Sequence, residues 1–334
     1  MNIGIVNDLP LAIEAMRRAI ALRAEHRVLW VATDGAQAVD FCIAQPPDIV
    51  LMDLIMPKFD GVEATRRIVA RAPCAILVVT SSVGANLSRV YEAMGAGALD
   101  AVDTPTLADG GLGDTSQPLL AKIDQIGRWL ESPGAYRHRA SASSHPGTVP
   151  LVAIGASAGG PTALAAVLGK LPTDFGAAIV IVQHVDQAFA EGMAQWLDGQ
   201  TALTVRVGLE GDRPQPGEAL LAATNDHLQL TRAGSLNYTR EPADMPYRPS
   251  IDVFFHSVAE HWHGYAIGVL LTGMGRDGAI GLKAMRAKGY HTIAQDEATS
   301  AVYGMPKAAA ALDAARSILP LGSIADELAA VAKR

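Results

Sequence analysis

Only two cysteines occur in 334 residues, Cys42 and Cys74, each set in an apolar stretch. That excludes a disulfide framework and a cysteine metal cage, and it fits a reducing cytoplasm. Basic charge is not in excess either: 27 Lys and Arg face 34 Asp and Glu, for a net charge of −7 and an isoelectric point near 5.7. Such a balance has no general attraction for phosphate backbones, so nucleic acid is not an expected partner. Although 49% of the residues are hydrophobic, no uninterrupted apolar run approaches the ~18 residues of a membrane span, and no membrane insertion is expected. The opening MNIGIVNDLP lacks the basic and apolar regions of a secretory leader. No repeat recurs at a fixed period. What remains is a soluble, cytoplasmic chain long enough for about two domains of roughly 150 residues each.

Residues 128–148, RWLESPGAYRHRASASSHPGT, break the apolar periodicity and read as a linker. We expect a first domain over 1–125, a linker over 126–148 and a second domain over 149–334. Upstream, short apolar runs at 3–6, 28–32, 49–52, 75–79 and 98–102 alternate with segments of helical spacing, such as Ile13, Met16 and Ile20, or Val62, Thr65 and Val69. Five strand-and-helix units of this kind predict an α/β fold, a doubly wound parallel sheet with helices on both faces. Downstream, LVAIG at 151–155, AIVIVQH at 178–184 and AIGVLLTG at 266–273 predict a second α/β domain with a mainly parallel sheet. Between them TVRV, ALLAAT and LQLT, separated by Gly and Pro turns, read as short antiparallel strands.

Functional groups of a doubly wound sheet gather at the carboxyl ends of its strands. Asn7 and Asp8 end the first strand, Asp53 the third and Thr80 the fourth. One such Asp would be read as a helix cap. Two carboxylates at neighbouring strand ends instead make a hard-oxygen site suited to Mg²⁺. The segment LMDLIMPKFDGVEATRRI at 51–68 resembles the phosphoacceptor region of response-regulator receiver domains, whose sheet is flavodoxin-like. The resemblance implies that Asp53 accepts phosphate, that Asp8 and Asp53 bind Mg²⁺ with Asn7 acting through water, and that Thr80 contacts the phosphoryl oxygens. Two positions depart from the family pattern. Asn7 stands where many receivers carry an acid, and Thr104, in DAVDTP, stands where a lysine normally precedes proline. That lysine would have been the positive partner of the phosphoryl group.

In the second domain GASAGGP at 155–161 joins a strand to a helical pattern. Such a turn cradles a diphosphate or lifts a serine out as a nucleophile. A dinucleotide site needs an acid at the end of the next strand, but that strand ends in Gln183 and His184. Imidazole is a poor ribose ligand and a good general base for Ser157. A third strand runs into MGRDGAIG and delivers Asp277, the residue type that fixes a histidine tautomer. The chain order Ser, His, Asp differs from the Ser, Asp, His of α/β-hydrolases, so that fold is not expected.

GASAGGP, IVQHV, RPSIDVFFHSVAE at 248–260, LLTGMGRDGA at 270–279 and IAQDEATSAVYGMPKAA at 293–309 resemble CheB-type protein-glutamate methylesterases, over about 149–334. VNDLPLA, LMDLIMPKFDGVEATRRI and ALDAVDTPTL are similar to the WspF-like branch of that family. The resemblance implies a receiver-controlled serine ester hydrolase that converts γ-glutamyl methyl esters of chemoreceptors to glutamate and methanol, with glutamine deamidation at the same sites. Ser157 would attack, His184 would shuttle the proton and Asp277 would orient His184. Backbone N–H groups near Met274 and in the turn at Gly159 would form the oxyanion hole, and His256 would line the cleft. The phosphodonor would be a CheA-type histidine kinase, and the esterase itself would need no cofactor.

His256, His261 and His263 lack the companions of a zinc site and read as structural or surface groups. Arg137, His138 and Arg139 read as solvated linker residues. The rival from another class is a non-catalytic, phosphorylation-controlled interaction module on an esterase scaffold. An intact Ser157, His184 and Asp277 argues against it.

Overall fold

Short runs of Val, Ile and Leu too brief for helices become the parallel strands of two sheets. The computed structural model describes residues 1–57, 59–72, 74–108, 111–112, 115–130 and 149–332. The chain divides into two compact units, Met1–Pro133 and Gly134–Arg334.

The first unit runs β1 (Asn2–Val6), α1 (Pro10–Ala21), β2 (Arg27–Ala32), α2 (Gly35–Ala44), β3 (Ile49–Met52), α3 (Gly61–Arg71), β4 (Ala75–Thr80), α4 (Leu87–Gly95), β5 (Asp100–Asp103), a small hairpin of β6 (Leu107–Ala108) and β7 (Gly111–Leu112), and α5 (Ser116–Leu130). Its five strands are parallel in the order β2-β1-β3-β4-β5. Every residue of β3 and β4 is buried, as parallel strands covered on both faces must be. The order reverses between β1 and β3, and Asp8 and Asp53 follow those two strands. Asp60 caps α3, accepting from Glu63 N–H at 2.9 Å. That helix buries Val62, Ala64, Thr65 and Ile68. Val69, expected on the same stripe, is exposed near the C-terminal end of α3. The last helix continues to Leu130. The expected linker at 126–148 therefore starts within α5, and its part from 131 onward, with Arg137, His138 and Arg139, lies outside the described residues.

The second unit runs β8 (Leu151–Ala156), α6 (Gly160–Leu168), β9 (Ala178–Gln183), α7 (Gln187–Asp198), β10 (Thr204–Val207), β11 (Glu218–Leu221), β12 (His227–Leu230), β13 (Leu236–Thr239), α8 (Ile251–His261), β14 (Ala266–Leu270), α9 (Ala279–Ala287), β15 (His291–Gln295), α10 (Met305–Ala311), β16 (Ser317–Leu319) and α11 (Leu321–Ala332). Seven strands form one sheet in the order β10-β11-β9-β8-β14-β15-β16, all parallel. The antiparallel expectation for 201–241 is corrected here. TVRV and EALL extend the main sheet in parallel, and only β12 and β13 form an antiparallel hairpin. The ten-residue return from β10 to β11 is long enough to bring the chain back to the start of the sheet. The run of buried residues at the end of β11 marks it as an interior strand. From β8 the chain first builds outward through β9 and later crosses back to β14 on the other side. That reversal opens a crevice at the carboxyl ends of β8, β9 and β14.

Candidate active site

Three consecutive places in the sheet supply the three polar groups. Ser157 follows β8, His184 follows β9 and Asp277 lies on the loop after β14. All three are largely enclosed: Ser157 is 8% exposed and Asp277 5%. Ser157 Oγ–H donates to His184 Nδ1 at 3.1 Å, and His184 Nε2–H donates to Asp277 Oδ2 at 2.8 Å. The proton held toward Asp277 leaves Nδ1 as the free base facing the hydroxyl. The two ring nitrogens thus exchange the duties they have in chymotrypsin-type proteases while keeping the same line of transfer.

Asp277 is a buried carboxylate, and an anion taken out of water needs several donors. Oδ1 accepts from Ser250 Oγ–H at 2.8 Å and Asp252 N–H at 3.1 Å. Oδ2 accepts from Ile251 N–H at 2.7 Å as well as from His184. Three of these four donors belong to the start of α8, where exposed N–H groups and the helix dipole favour negative charge. Burial pushes the Asp277 carboxyl pKa up most strongly. The His184 hydrogen bond and charge, with the Ile251 and Asp252 N–H groups, outweigh it and hold the group below the usual carboxylate range. Asp252 returns the contact, since its Oδ1 accepts Gly281 N–H at 2.6 Å in the first turn of α9. Two helix starts therefore hold each other's aspartate.

The turn at 155–161 places Ser157 by backbone constraint. Gly159 sits at φ 73°, a left-handed conformation that side chains disfavour. Ser157 N–H donates to Thr272 O at 3.0 Å, which ties the end of β8 to the end of β14. Gly273 comes so close that a Cβ there would lie 2.7 Å from Ser157 Cβ. Met274, an expected oxyanion donor, is the next residue in the chain. His256 is exposed on α8 with its Nδ1 bonded to Asp252 O at 2.7 Å, and no described hydrogen bond joins it to the three groups. His263 bonds the Arg232 carbonyl, and the three histidines of HSVAEHWH do not converge.

The first unit has a pocket of its own, lined by Asn7, Asp8, Asp53, Thr80 and Thr104 among others. Leu54 N–H donates to Asp53 Oδ1 at 2.7 Å, and Asn7 Nδ2 donates to Oδ2 at 3.1 Å. Asn7 turns its oxygen to Leu9 N–H at 2.8 Å and so meets Asp53 as a donor. Burial, offset partly by the Leu54 and Ile55 N–H groups and reinforced by Asp8, pushes the Asp53 pKa up to about 6. Two carboxylates with that uncompensated charge fit a hard divalent cation. Thr104 N–H donates to Thr80 O at 2.8 Å, and among the described residues neither Lys nor Arg lines this pocket.

A CheB methylesterase family model matches residues 152–328, and a response regulator receiver domain model matches residues 3–109. A relative from Burkholderia orbicola, named protein-glutamate methylesterase/protein-glutamine glutaminase 2, is 77% identical over 334 residues and covers 100% of both chains. One from Burkholderia thailandensis, with the same name numbered 4, is 73% identical over 336 residues and covers 100% of this chain and 98% of its own. The chain belongs to the CheB methylesterase family. Among solved structures, the methylesterase catalytic domain of Thermotoga maritima CheB is 33% identical, with a TM-score of 0.53 over 55% of this chain and 99% of that one.

Within this CheB domain, three residues of the site escaped the sequence reading. Ser250 was legible as a helix cap ahead of an apolar run, but its hydroxyl also reaches Asp277. Gln183 was noted only for what it is not. Its Nε2 donates to Ser157 O at 2.9 Å and His184 O at 3.2 Å, joining the ends of β8 and β9. Tyr247 lies against His184 through a loop whose course no local pattern predicts.

Both oxygens of Asp277 receive only donors, so an amide cannot replace the carboxylate without aiming its NH₂ at a buried donor. Asp277→Asn is expected to lower unfolding stability by about 2–4 kcal/mol, read from urea denaturation. The Asp53 shift has the opposite consequence. Its folded pKa lies above the ordinary 3.8, so the unbound receiver is most stable below that value and loses about 3 kcal/mol as pH rises to about 6. Asp53→Asn should stabilise the receiver at pH 8 without divalent cation and confer no such advantage near pH 4, as calorimetry of the full chain would show.

Proposed function

We propose that this chain, a phosphorylation-regulated protein-glutamate methylesterase, hydrolyses γ-glutamyl methyl esters of chemoreceptors by covalent serine catalysis. The observation that carries the mechanism is the line Ser157–His184–Asp277 at 3.1 and 2.8 Å, at three strand ends of a CheB methylesterase domain. Ser157 Oγ attacks the ester carbonyl as its proton passes to His184 Nδ1. Collapse of the tetrahedral intermediate expels the methoxy group, which takes that proton and leaves as methanol. Water then attacks the glutamyl-serine ester, His184 again accepts and returns a proton, and glutamate is released. Asp277 stabilises the imidazolium formed at each attack. Backbone N–H groups around Met274 and Gly159 are the candidates to receive the oxyanion. A glutamine side chain enters the same sequence with ammonia as leaving group, in keeping with the double name of the Burkholderia relatives.

The receiver is the control element. Asp53 accepts phosphate from a histidine kinase of the CheA type, and Thr80 faces the phosphoryl oxygens. Asp8 and Asp53 would hold Mg²⁺, which supplies the positive charge that a carboxylate needs in order to meet a phosphodonor. The domain division expected from sequence, a receiver over 1–125, a linker over 126–148 and a catalytic domain over 149–334, is proposed with the receiver extended to Leu130, where α5 ends. No helix among the described residues is long and apolar enough to cross a membrane. The WspF-like branch rests on VNDLPLA, LMDLIMPKFDGVEATRRI and ALDAVDTPTL.

Ser157→Ala should lower release of labelled methanol from methylated receptor by on the order of 10⁴-fold or more. Wild-type release by that variant would eliminate the serine mechanism. Asp53→Asn should take up no label from the phosphorylated kinase, and labelling of the variant would reassign the acceptor. Tethering at this linker length gives effective concentrations that reach the millimolar range. The unphosphorylated receiver is proposed to restrain the esterase, so a fragment of residues 149–334 should demethylate faster than the unphosphorylated chain. Equal rates would leave receptor recruitment as the receiver's task.

A further inference from the structure

Two in-plane hydrogen bonds fix the edges of the His184 ring and leave its tilt undecided. With Nδ1 on Ser157 and Nε2 on Asp277, the imidazole can roll about the line between its nitrogens while straining neither bond severely. A flat group against the face removes that freedom. The Tyr247 ring occupies this position, with its centroid 4.5 Å from that of His184 and the planes 6° from parallel.

Tyr247 lies on the loop between β13 and α8, three residues before Ser250, whose hydroxyl holds Asp277. Its own hydroxyl approaches the loop after β14, since a Cβ on Gly275 would lie 3.0 Å from it. The phenol therefore bridges the face of His184 and the loop bearing Met274 and Asp277. It is half-buried, so one face covers the imidazole while the residue keeps an edge in solvent. When His184 takes the serine proton, the ring becomes a cation against an aromatic face, whose quadrupole attracts positive charge.

We infer that Tyr247 is a positioning residue for His184, setting the tilt of the imidazole and supporting the imidazolium through the stacked face. The inference rests on the serine mechanism proposed above. Because the contact matters most once His184 is charged, its loss should fall on turnover and spare substrate binding.

The test uses the full chain on methylated receptor, with Tyr247→Phe, Tyr247→Leu, Tyr247→Asn and Ser157→Ala measured side by side. Phe keeps the stacked face and should retain kcat within about threefold, whereas Leu and Asn should lose about 10- to 30-fold in kcat with KM changed less than about twofold. Isotope-labelled histidine should show the His184 ring protons shifted upfield by the neighbouring aromatic ring in the wild type and in Tyr247→Phe, and not in the other two. Asn suits a half-exposed loop and is the second non-aromatic variant should Leu unfold the domain. The inference is overturned if both non-aromatic variants turn over within twofold of wild type while Ser157→Ala is inactive. It is equally overturned if Phe is as slow as Leu, which would assign the effect to the hydroxyl. Activity in Ser157→Ala would overturn the serine mechanism itself, an outcome separate from either.

Discussion

A buried carboxylate organises the catalytic domain. Asp277 is 5% exposed, yet it is held ionised by one hydroxyl, two backbone N–H groups and one imidazole N–H. Satisfying it requires the start of α8, the loop after β14 and the end of β9 to meet at one point. Once they do, the tautomer of His184 follows, and with it the free nitrogen that faces Ser157. The reciprocal bond from Gly281 N–H to Asp252 ties the start of α9 into the same arrangement. Folding and catalysis share this constraint, since the donors that make burial of the charge tolerable are the ones that aim the base.

What could be read from the sequence was whatever depends on local pattern plus topology. Apolar runs bounded by Gly and polar residues marked the strands, and placing Ser157, His184 and Asp277 at strand ends brought together groups far apart in the chain. Asp8, Asp53 and Thr80 were found by the same logic. The parallel pairing of β10 and β11 was not legible, because short strands separated by glycine-containing turns look like hairpins until a partner strand is known. Ser250 caps α8, accepting from Val253 N–H at 3.4 Å. Its second bond, to Asp277, depends on packing between elements distant in sequence. Tyr247 left no signal at all, since a single aromatic residue in a polar loop has no period to reveal the face it covers.

The two domains solve different problems at equivalent places. Each puts polar groups where strand order reverses, so that neighbouring strand ends diverge and leave room for a ligand. In the receiver the result is negative and underpaired, with Asp53 raised by burial and by Asp8. In the esterase the result is negative and fully paired, with Asp277 lowered despite burial. The first arrangement leaves negative charge that its described neighbours do not offset, while in the second each oxygen of Asp277 has its donors. Thr104 removes the positive side chain that receivers usually bring to the phosphoryl group. The threonine backbone still bonds Thr80, so the link between β4 and the loop after β5 persists even though the charge does not.

Covalent capture at Ser157 tests the central claim most directly. Acid quenching of the full chain during turnover of methylated receptor, followed by mass spectrometry of its peptides, should show the glutamyl-bearing receptor segment esterified to Ser157. It should be absent from Ser157→Ala and lost on incubation of the native intermediate in water. An adduct on another side chain, or steady release of methanol with no adduct in a reaction stopped within its first turnover, would contradict the account.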